Sequence, residues 1–356
     1  MVFPYNPELY LDVRRFIEDH VDFVEDEEYD VLTAKVFESW LITKVEELGY
    51  VFFVGPPRSG KTRALEVLSA ICYNSKIAAY MSTPTIYRLL NMGYCTLFFD
   101  EIQQYLTENR GDFLALLNAG QRKGTPAWLS VQLKDEWIPT PFKVFGSKFL
   151  ASTRDTAEAL ATRCIIIPMM KNVRTVPLRI DRDRAESLSS RLNRYTAGIG
   201  DTPLPDLENL FLERGFRDYR NIEAFINLAA VTPPEYRGHI LDYAKAIDDQ
   251  INEEEGLTLY AEIYGALEYA WTTAQGGKVS INAVSEAFND GRAEQEQRSN
   301  QSVGALLNII GLRKVCRMPG GRKGRYVSER TMKRLRRRYG QVQTTLDEGA
   351  PLSGGH

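Results

Sequence analysis

The sequence predicts an α/β fold with a mostly parallel sheet that helices cover on both faces. Short apolar runs rich in β-forming residues alternate with helical patterns over residues 34–170. Several of these runs are continuous, as expected for central strands buried on both sides. Beyond Arg179 the pattern changes, because residues 181–255 show helical periodicity alone. We therefore predict a parallel-sheet core followed by a helical region.

The N-terminal segment is acidic. Residues 18–30 contain eight Asp or Glu and no Lys or Arg. Such a run is typical of a solvated face or a linker, and contact with a basic neighbour is the alternative. Apolar residues then recur at helical spacing from Ala34 to Leu48, and Gly49 is the expected helix cap.

Residues 50–63 contain the most informative motif. The β-forming run YVFFV is followed directly by GPPRSGKT, which is the spacing of a phosphate-binding loop between a strand and a helix. In such a loop, backbone N–H groups wrap a phosphate chain, Lys61 reaches the β- and γ-phosphates, and Thr62 binds Mg²⁺. The predicted nucleotide-binding residues are Gly55, Pro56, Pro57, Arg58, Ser59, Gly60, Lys61, Thr62 and Arg63.

An acidic pair ends the next buried run. Residues 95–99 are continuously apolar or β-forming, and Asp100 and Glu101 follow them. Carboxylates at this point face the ligand edge of a parallel sheet. We expect Asp100 to belong to the magnesium shell and Glu101 to polarise the attacking water. Acidic pairs after strands also occur as solvated turns, but beside a phosphate loop they favour hydrolysis over binding alone.

The remaining elements of the core follow in order. We predict a fourth core strand at Lys148–Ala151, after which Ser152 and Thr153 are placed to contact the γ-phosphate or the lytic water. The other predictions are a strand at 76–81, helices at 84–91 and 111–122, extended segments at 127–133 and 137–144, a helix at 155–161 and a strand at 164–168.

The C-terminal part is basic. Its predicted order is helix, strand, helix, helix and two-stranded ribbon, which is the order of a winged helix-turn-helix. Residues 312–340 carry twelve Lys or Arg against the single Glu329. This clustering is typical of phosphate binding, and general solubility is the alternative. We expect DNA contacts from the polar face of 300–310 and from a ribbon that includes Arg322, Lys323 and Arg325.

Other function classes are disfavoured. The four cysteines lie far apart, so their spacing indicates neither a zinc site nor a disulfide framework. No apolar stretch approaches the length of a membrane span. We expect a cytoplasmic protein that acts without a membrane.

Together the motifs resemble AAA+ ATPases of the helicase type that accompany primases in phage and plasmid replication modules. These are relatives of the minichromosome maintenance helicases. The resemblance extends from about residue 48 to 340. It rests on GPPRSGKT (55–62), LFFDE (97–101), FGSKFLAST (145–153), ALATRCIIIP (159–168) and GRKGRYVS (321–328).

This resemblance implies roles for three further residues. Arg163 is expected to act as an arginine finger on a neighbouring subunit's ATP, which requires a ring, hexameric or similar. Arg217 is the expected lid arginine at the γ-phosphate, with Arg220 in reserve. The extended pair at 127–144 corresponds to a pore hairpin in which Lys134 grips a DNA phosphate. For Arg163 and Arg217 the alternative is an ordinary surface arginine, and for the hairpin it is a plain extension of the sheet.

The implied domains are an acidic segment (1–33), an AAA+ core (34–178), a helical lid (179–255), a winged-helix DNA-binding domain (256–340) and a tail (341–356). The expected function is an ATP- and Mg²⁺-dependent ring motor on DNA, a replicative helicase of a mobile element. The alternatives are an ATP-switched initiator or loader, and a remodeller of proteins. No primase or polymerase domain precedes the motor, so we expect that priming either needs a separate primase or polymerase as partner or does not occur.

Overall fold

A computed structural model describes residues 3–78, 80–108, 110–133, 136–153, 163–216, 219–256, 259–274, 276–293, 297–318 and 323–339. The chain divides into two compact units, Met1–Ala246 and Ile247–His356. They are called unit 1 and unit 2 below, and each is described by itself.

Unit 1 is built on a five-stranded sheet. All its pairings are parallel, and the strand order is β2-β3-β6-β1-β7. The sheet strands are β1 Tyr50–Val54, β2 Ser75–Ala78, β3 Thr96–Phe99, β6 Lys148–Ser152 and β7 Cys164–Pro168. The intervening strands β4 Ala127–Leu133 and β5 Glu136–Phe142 form a separate antiparallel hairpin. The predicted α/β fold with a parallel sheet is therefore confirmed.

The described helices that begin in unit 1 follow in chain order, and the last of them continues past Ala246. They are α1 Pro7–His20, α2 Asp26–Trp40, α3 Lys61–Ser69, α4 Thr83–Met92, α5 Gln103–Glu108, α6 Arg110–Ala119, α7 Arg182–Ile199, α8 Glu208–Glu213, α9 Tyr219–Val231 and α10 Arg237–Gly256. The described part of 181–255 contains no strand, as its periodicity predicted.

The central strands are buried on both faces, which explains their continuous apolar character. Phe52, Phe99 and Leu150 belong to one core cluster, while Phe98 and Phe149 stack with their ring centroids 4.8 Å apart. The register pairs Val54 with Ser152 and Phe99 with Leu150. Because the strands are parallel and adjacent, the carboxyl ends of β1, β6 and β3 lie side by side.

The acidic N-terminal run is not a linker, because it is folded into the end of α1 and the start of α2, although Asp19, Glu25 and Asp26 are exposed. Helix α2 begins inside this acidic run at Asp26, and several carboxylates of the run contact basic neighbours. The Arg14 guanidinium lies 2.7 Å from Asp26 Oδ1 and 3.1 Å from Oδ2 of the buried Asp30. Two other acids pair with arginines that are distant in sequence: Asp22 with Arg174, and Asp19 with Arg184.

The helix predicted from Ala34 to Leu48 instead begins and ends earlier in the sequence, because α2 extends from Asp26 to Trp40. Helix α2 ends at Trp40, and Gly49 caps no helix. Gly49 is instead close to a neighbouring helix, because a Cβ at this position would lie 2.7 Å from the Cβ of Ala224. The buried ammonium of Lys35 donates to the Gly49 carbonyl at 2.7 Å. Gly49 therefore allows close packing, and the sequence pattern does not distinguish this role from a cap.

Unit 2 contains the predicted order of elements and one additional helix. Its elements are α11 Leu259–Thr272, β8 Lys278–Ser280, α12 Ile281–Asn289, α13 Asn300–Ile309, β9 Val315–Arg317, β10 Lys323–Tyr326 and α14 Glu329–Tyr339. The strands form an antiparallel sheet in the order β8-β10-β9. Leu267, Val284, Val303 and Leu307 lie in its core. Helix α14 extends beyond the predicted elements, and the predicted ribbon tip and tail lie outside the described residues.

Candidate functional site

The loop between β1 and α3 has the backbone that a phosphate cradle requires. Gly60 has φ +91° and immediately precedes α3, and Arg58 has φ +65°. The left-handed region strongly favours glycine, which explains Gly60 at this point. Ser59 is buried, whereas Pro56, Pro57 and Arg58 form an exposed tip.

The N-terminus of α3 is open toward this loop. Within the continuously described stretch from 55 to 78, no side chain caps that end of the helix. The first turn of a helix presents backbone N–H groups and the positive end of the helix dipole. The end of α3 therefore fits a phosphate group, as the motif predicts.

Lys61 folds back over its own loop. Its ammonium donates to the carbonyls of Gly55 and Pro56 at 2.7 and 2.8 Å, and lies 3.4 Å from Ser59 Oγ. Burial lowers the pKa of Lys61, while the nearby carboxylates of Glu101 and Asp100 oppose that shift. The ammonium is thus anchored at the mouth of the loop, and the two acids favour its charged form.

Thr62 and Asp100 meet across the sheet edge. The Thr62 hydroxyl donates to Asp100 Oδ2 at 2.7 Å. Adjacent ligands of an octahedral Mg²⁺ lie about 3.0 Å apart, since Mg–O bonds are about 2.1 Å long. A hydroxyl and a carboxylate at this separation therefore fit as two neighbouring oxygen ligands of Mg²⁺.

Glu101 occupies a strained turn directly after Asp100. Its φ is +53°, in the left-handed region that non-glycine residues seldom adopt, and its N–H donates to Asp100 Oδ1 at 3.0 Å. Among the described residues only Arg58, Asn74 and Glu101 are non-glycine residues with positive φ, and two of them belong to this site. Such strain is often concentrated at functional sites.

Gln103 connects Glu101, which follows β3, to the carboxyl end of β6. The sequence pattern did not identify this residue. Its amide nitrogen donates to Glu101 Oε2 and, at 3.3 Å, to Thr153 Oγ1. Its amide oxygen accepts from Ser152 Oγ at 2.9 Å. Gln103 therefore orients the acid and joins it to Thr153. The only sequence signal is its position two residues after the acidic pair.

The side chain of Arg63 is directed away from the loop, so its predicted contact with the nucleotide is left to its backbone N–H in the first turn of α3. Its guanidinium donates to the carbonyl of Pro177 at 2.8 Å and to those of His20 and Leu178 at 3.4 Å. Arg63 thus ties α3 to α1 and to the chain segment after β7. Asn172 of that segment is near the loop instead, since a Cβ at Gly60 would lie 3.5 Å from its Oδ1.

Arg163 lies at the opposite edge of the sheet. Its carbonyl accepts from the Tyr50 N–H at 2.9 Å, and Tyr50 is the first residue of β1. The phosphate loop begins only after Val54, and four strand residues span about 13 Å. Arg163 is therefore too far to reach the phosphate loop of its own chain.

The predicted DNA-binding residues have different environments. Arg325 is only 6% exposed, and its guanidinium donates to Gly304 O at 3.2 Å and Asn308 Oδ1 at 2.9 Å. Arg325 joins β10 to α13 and is not presented to DNA, so this prediction is corrected. Lys323 is exposed on β10. Arg217, Lys134 and Arg322 lie outside the described residues.

The hairpin predicted at 127–144 is present as β4 and β5. Its register pairs Trp128 with Pro141 and Gln132 with Trp137. Both tryptophans lie on one face and are about two-thirds exposed. The extended segments are therefore confirmed, and they carry two accessible aromatic rings.

Replacing Gly55 with Ala tests how closely the loop packs. A Cβ at Gly55 would lie 2.1 Å from the Met169 carbonyl oxygen, and the Met169 N–H is held by Val54 O at 2.7 Å. We expect Gly55→Ala to lower the free energy of unfolding by about 3 kcal/mol and to weaken ATP binding at least ~10-fold. Thermal unfolding and a nucleotide titration measure the two effects.

Gly111→Ala is the matched control. Gly111 lies in α6, and a Cβ there meets nothing within 4 Å. This substitution should stabilise the helix by up to about 1 kcal/mol. A Gly55→Ala protein with wild-type stability and wild-type ATP affinity would contradict the packing argument.

The described helices include none that is both long and apolar enough to cross a membrane. A comparison with protein-family models gives no match for this chain, and a comparison with curated proteins gives none either. The function is therefore argued from the site itself.

Proposed function

We propose that this protein hydrolyses ATP and uses the energy to move DNA, as a ring-forming AAA+ motor. One observation carries the proposal: the phosphate loop, the pair Asp100–Glu101 and Thr153 converge at the carboxyl ends of three adjacent parallel strands. A solvated turn would explain an acidic pair that had no contact with the loop. It does not account for a carboxylate bonded to the loop threonine at 2.7 Å.

The chain's residues divide the chemistry among them. The N–H groups at the start of α3 bind the phosphate chain, and Lys61 neutralises its outer charge. Thr62 and Asp100 would hold Mg²⁺, which would supply neutralisation of the phosphate charge. Glu101, oriented by Gln103, positions the attacking water. Thr153 donates its hydroxyl toward the water or the terminal phosphate.

The position of Arg163 supports a site shared between subunits. An arginine on the edge away from its own loop can act only on the nucleotide of another copy, and a repeated head-to-tail contact gives a ring when its rotation closes. We propose that Arg163 stabilises the transition state of the neighbour's ATP. On this view the helices α7–α10 form the lid.

Unit 2 fits the role of a winged helix that binds DNA, on the strength of its element order and its basic C-terminal end. The β4–β5 hairpin fits the role of the pore element. Its exposed Trp128 and Trp137 offer aromatic faces on which unpaired bases stack, in addition to the predicted Lys134.

The test is ATP turnover with and without DNA. The wild-type protein is expected to hydrolyse ATP with Mg²⁺, and a forked duplex should increase the rate several-fold. An ATP turnover rate that does not change with DNA but rises with an unfolded protein substrate would favour the protein remodeller instead. No turnover under any condition would refute the proposal.

A further inference from the structure

Helix α14 carries a row of cations along its solvent face. Met332 and Leu335 are buried in the core of unit 2, and Tyr339 packs against that core. Five exposed residues lie on the opposite side, and together they are called the cationic stripe: Arg330, Lys333, Arg334, Arg337 and Arg338. At 100° per residue they cover about 140° of the helix circumference, centred opposite Met332 and Leu335. The stripe is about 12 Å long.

Stability of the helix does not explain this arrangement. Cations favour the C-terminal turn of a helix, but Arg330 and Lys333 lie in or near its first turn, where the dipole opposes them. Like charges three and four residues apart also repel one another. Arg336 lies off the stripe and pairs with Glu268 at 2.5 Å. The helix dipole therefore accounts for Arg337 and Arg338 in the last turn, but not for Arg330 and Lys333.

Helix α13 lacks the charge expected of a DNA-reading surface. Its sequence NQSVGALLNI contains no charged residue, and Ile309 is 63% exposed on it. The arginine predicted to contact DNA from β10, Arg325, points inward to α13. The largest group of exposed cations described in unit 2 thus lies on α14.

The side chains of the stripe favour a polyanionic partner whose charges are regularly spaced. The stripe contains neither an acid nor an apolar residue, whereas protein interfaces usually have an apolar centre. Four of its five members are arginines, whose planar forks match phosphate oxygens. Its apolar side is already buried, so the helix has no free face to insert into a membrane surface.

The acidic run of a second copy is a poor candidate partner. The carboxylates of Asp19, Asp22 and Asp30 are already paired with Arg184, Arg174 and Arg14 within unit 1. Binding the stripe through these carboxylates would compete with the pairs already formed. A nucleic-acid backbone carries no such penalty.

We propose that the cationic stripe of α14 is the surface by which unit 2 grips a nucleic-acid backbone, in preference to α13 and the β9–β10 ribbon. This inference rests on the proposed function, because it specifies where a DNA motor holds its substrate. Contacts of this kind position the strand without reading its sequence. Binding through the stripe should therefore be steeply salt-dependent and indifferent to base sequence.

The test compares two fourfold charge removals in the full-length chain. The stripe variant combines Arg330→Gln, Lys333→Gln, Arg334→Gln and Arg337→Gln. The control combines Lys278→Gln, Arg313→Gln, Arg317→Gln and Lys323→Gln, four exposed cations on or beside the unit 2 sheet. Affinity for a fluorescent duplex and for a single strand is measured over a series of salt concentrations, with thermal unfolding as the check on folding.

The stripe variant is expected to lose roughly 100-fold in affinity near 0.1 M salt, and its slope of log K against log salt should become shallower by about 3 to 4. The control should lose much less. Replacing the three arginines with lysine instead should preserve the slope, because the charge is kept. The DNA form that shows the larger loss identifies the substrate bound by the stripe.

Two results would overturn the inference: a stripe variant that binds like the wild type, or a control that loses more than the stripe variant. Polyglutamate that binds the stripe as tightly as DNA would reassign it to an acidic protein. These failures are distinct from failure of the motor, which is measured separately as ATP turnover by the wild-type chain.

Discussion

Glu101→Gln retains ATP binding and loses hydrolysis by about 10²- to 10⁴-fold, which is the contribution expected of a positioned general base. The substitution keeps the size of the side chain, and a glutamine still accepts a hydrogen bond from Gln103. It removes the negative charge that polarises the attacking water. Phosphate binding depends on the loop and Lys61, so nucleotide affinity should change little.

Glu66→Gln provides the matched control, because Glu66 is exposed on α3 and undergoes the same chemical change. Its turnover should equal that of the wild type. Steady-state hydrolysis and binding of a fluorescent ATP analogue separate the two functions. If Glu101→Gln hydrolysed ATP at the wild-type rate, the acid would not be the base, and the strained turn would need another explanation.

Mixing Arg163→Ala chains with Lys61→Ala chains restores part of the hydrolysis that each lacks alone. An arginine finger supplied by a neighbour contributes about 10³- to 10⁵-fold, so each variant by itself should be nearly inactive. In a random equal mixture, about one interface in four joins an intact Lys61 to an intact Arg163. Recovery of about a quarter of the wild-type rate is therefore expected.

A mixture of Lys61→Ala with Glu101→Gln chains is the control. Both of these residues act on the nucleotide of their own chain, so no interface in the mixture has a complete site. Turnover should stay at the level of the separate variants. No recovery at any ratio of Arg163→Ala to Lys61→Ala would show that Arg163 does not act between subunits.

The grouping of polar residues at the strand ends could be predicted from sequence because each part is local. A phosphate loop needs its glycines, lysine and threonine at fixed spacing, and the acids follow a continuous apolar strand. Parallel pairing then brings Thr62 and Asp100 together without further information. The fold class followed from the same alternation of buried strands and helices.

Other features depend on contacts that a linear pattern does not contain. The acidic run read as solvated because the arginines that pair with it are distant in sequence, as Arg174 and Arg184 are. Arg325 belonged to a basic cluster, yet its register on β10 turns it toward α13. Lys148 shows the same limit, since a strand pattern gives no hint that its ammonium is fully buried with a pKa lowered to about 7 by desolvation.

The most direct test of the central claim is strand separation on a forked DNA duplex. The wild-type protein is expected to displace a strand with ATP and Mg²⁺, and Glu101→Gln is expected to bind the fork without displacing it. Binding and ATP hydrolysis by the wild type with no displacement would contradict the motor, and the protein would then be an ATP-switched initiator or loader.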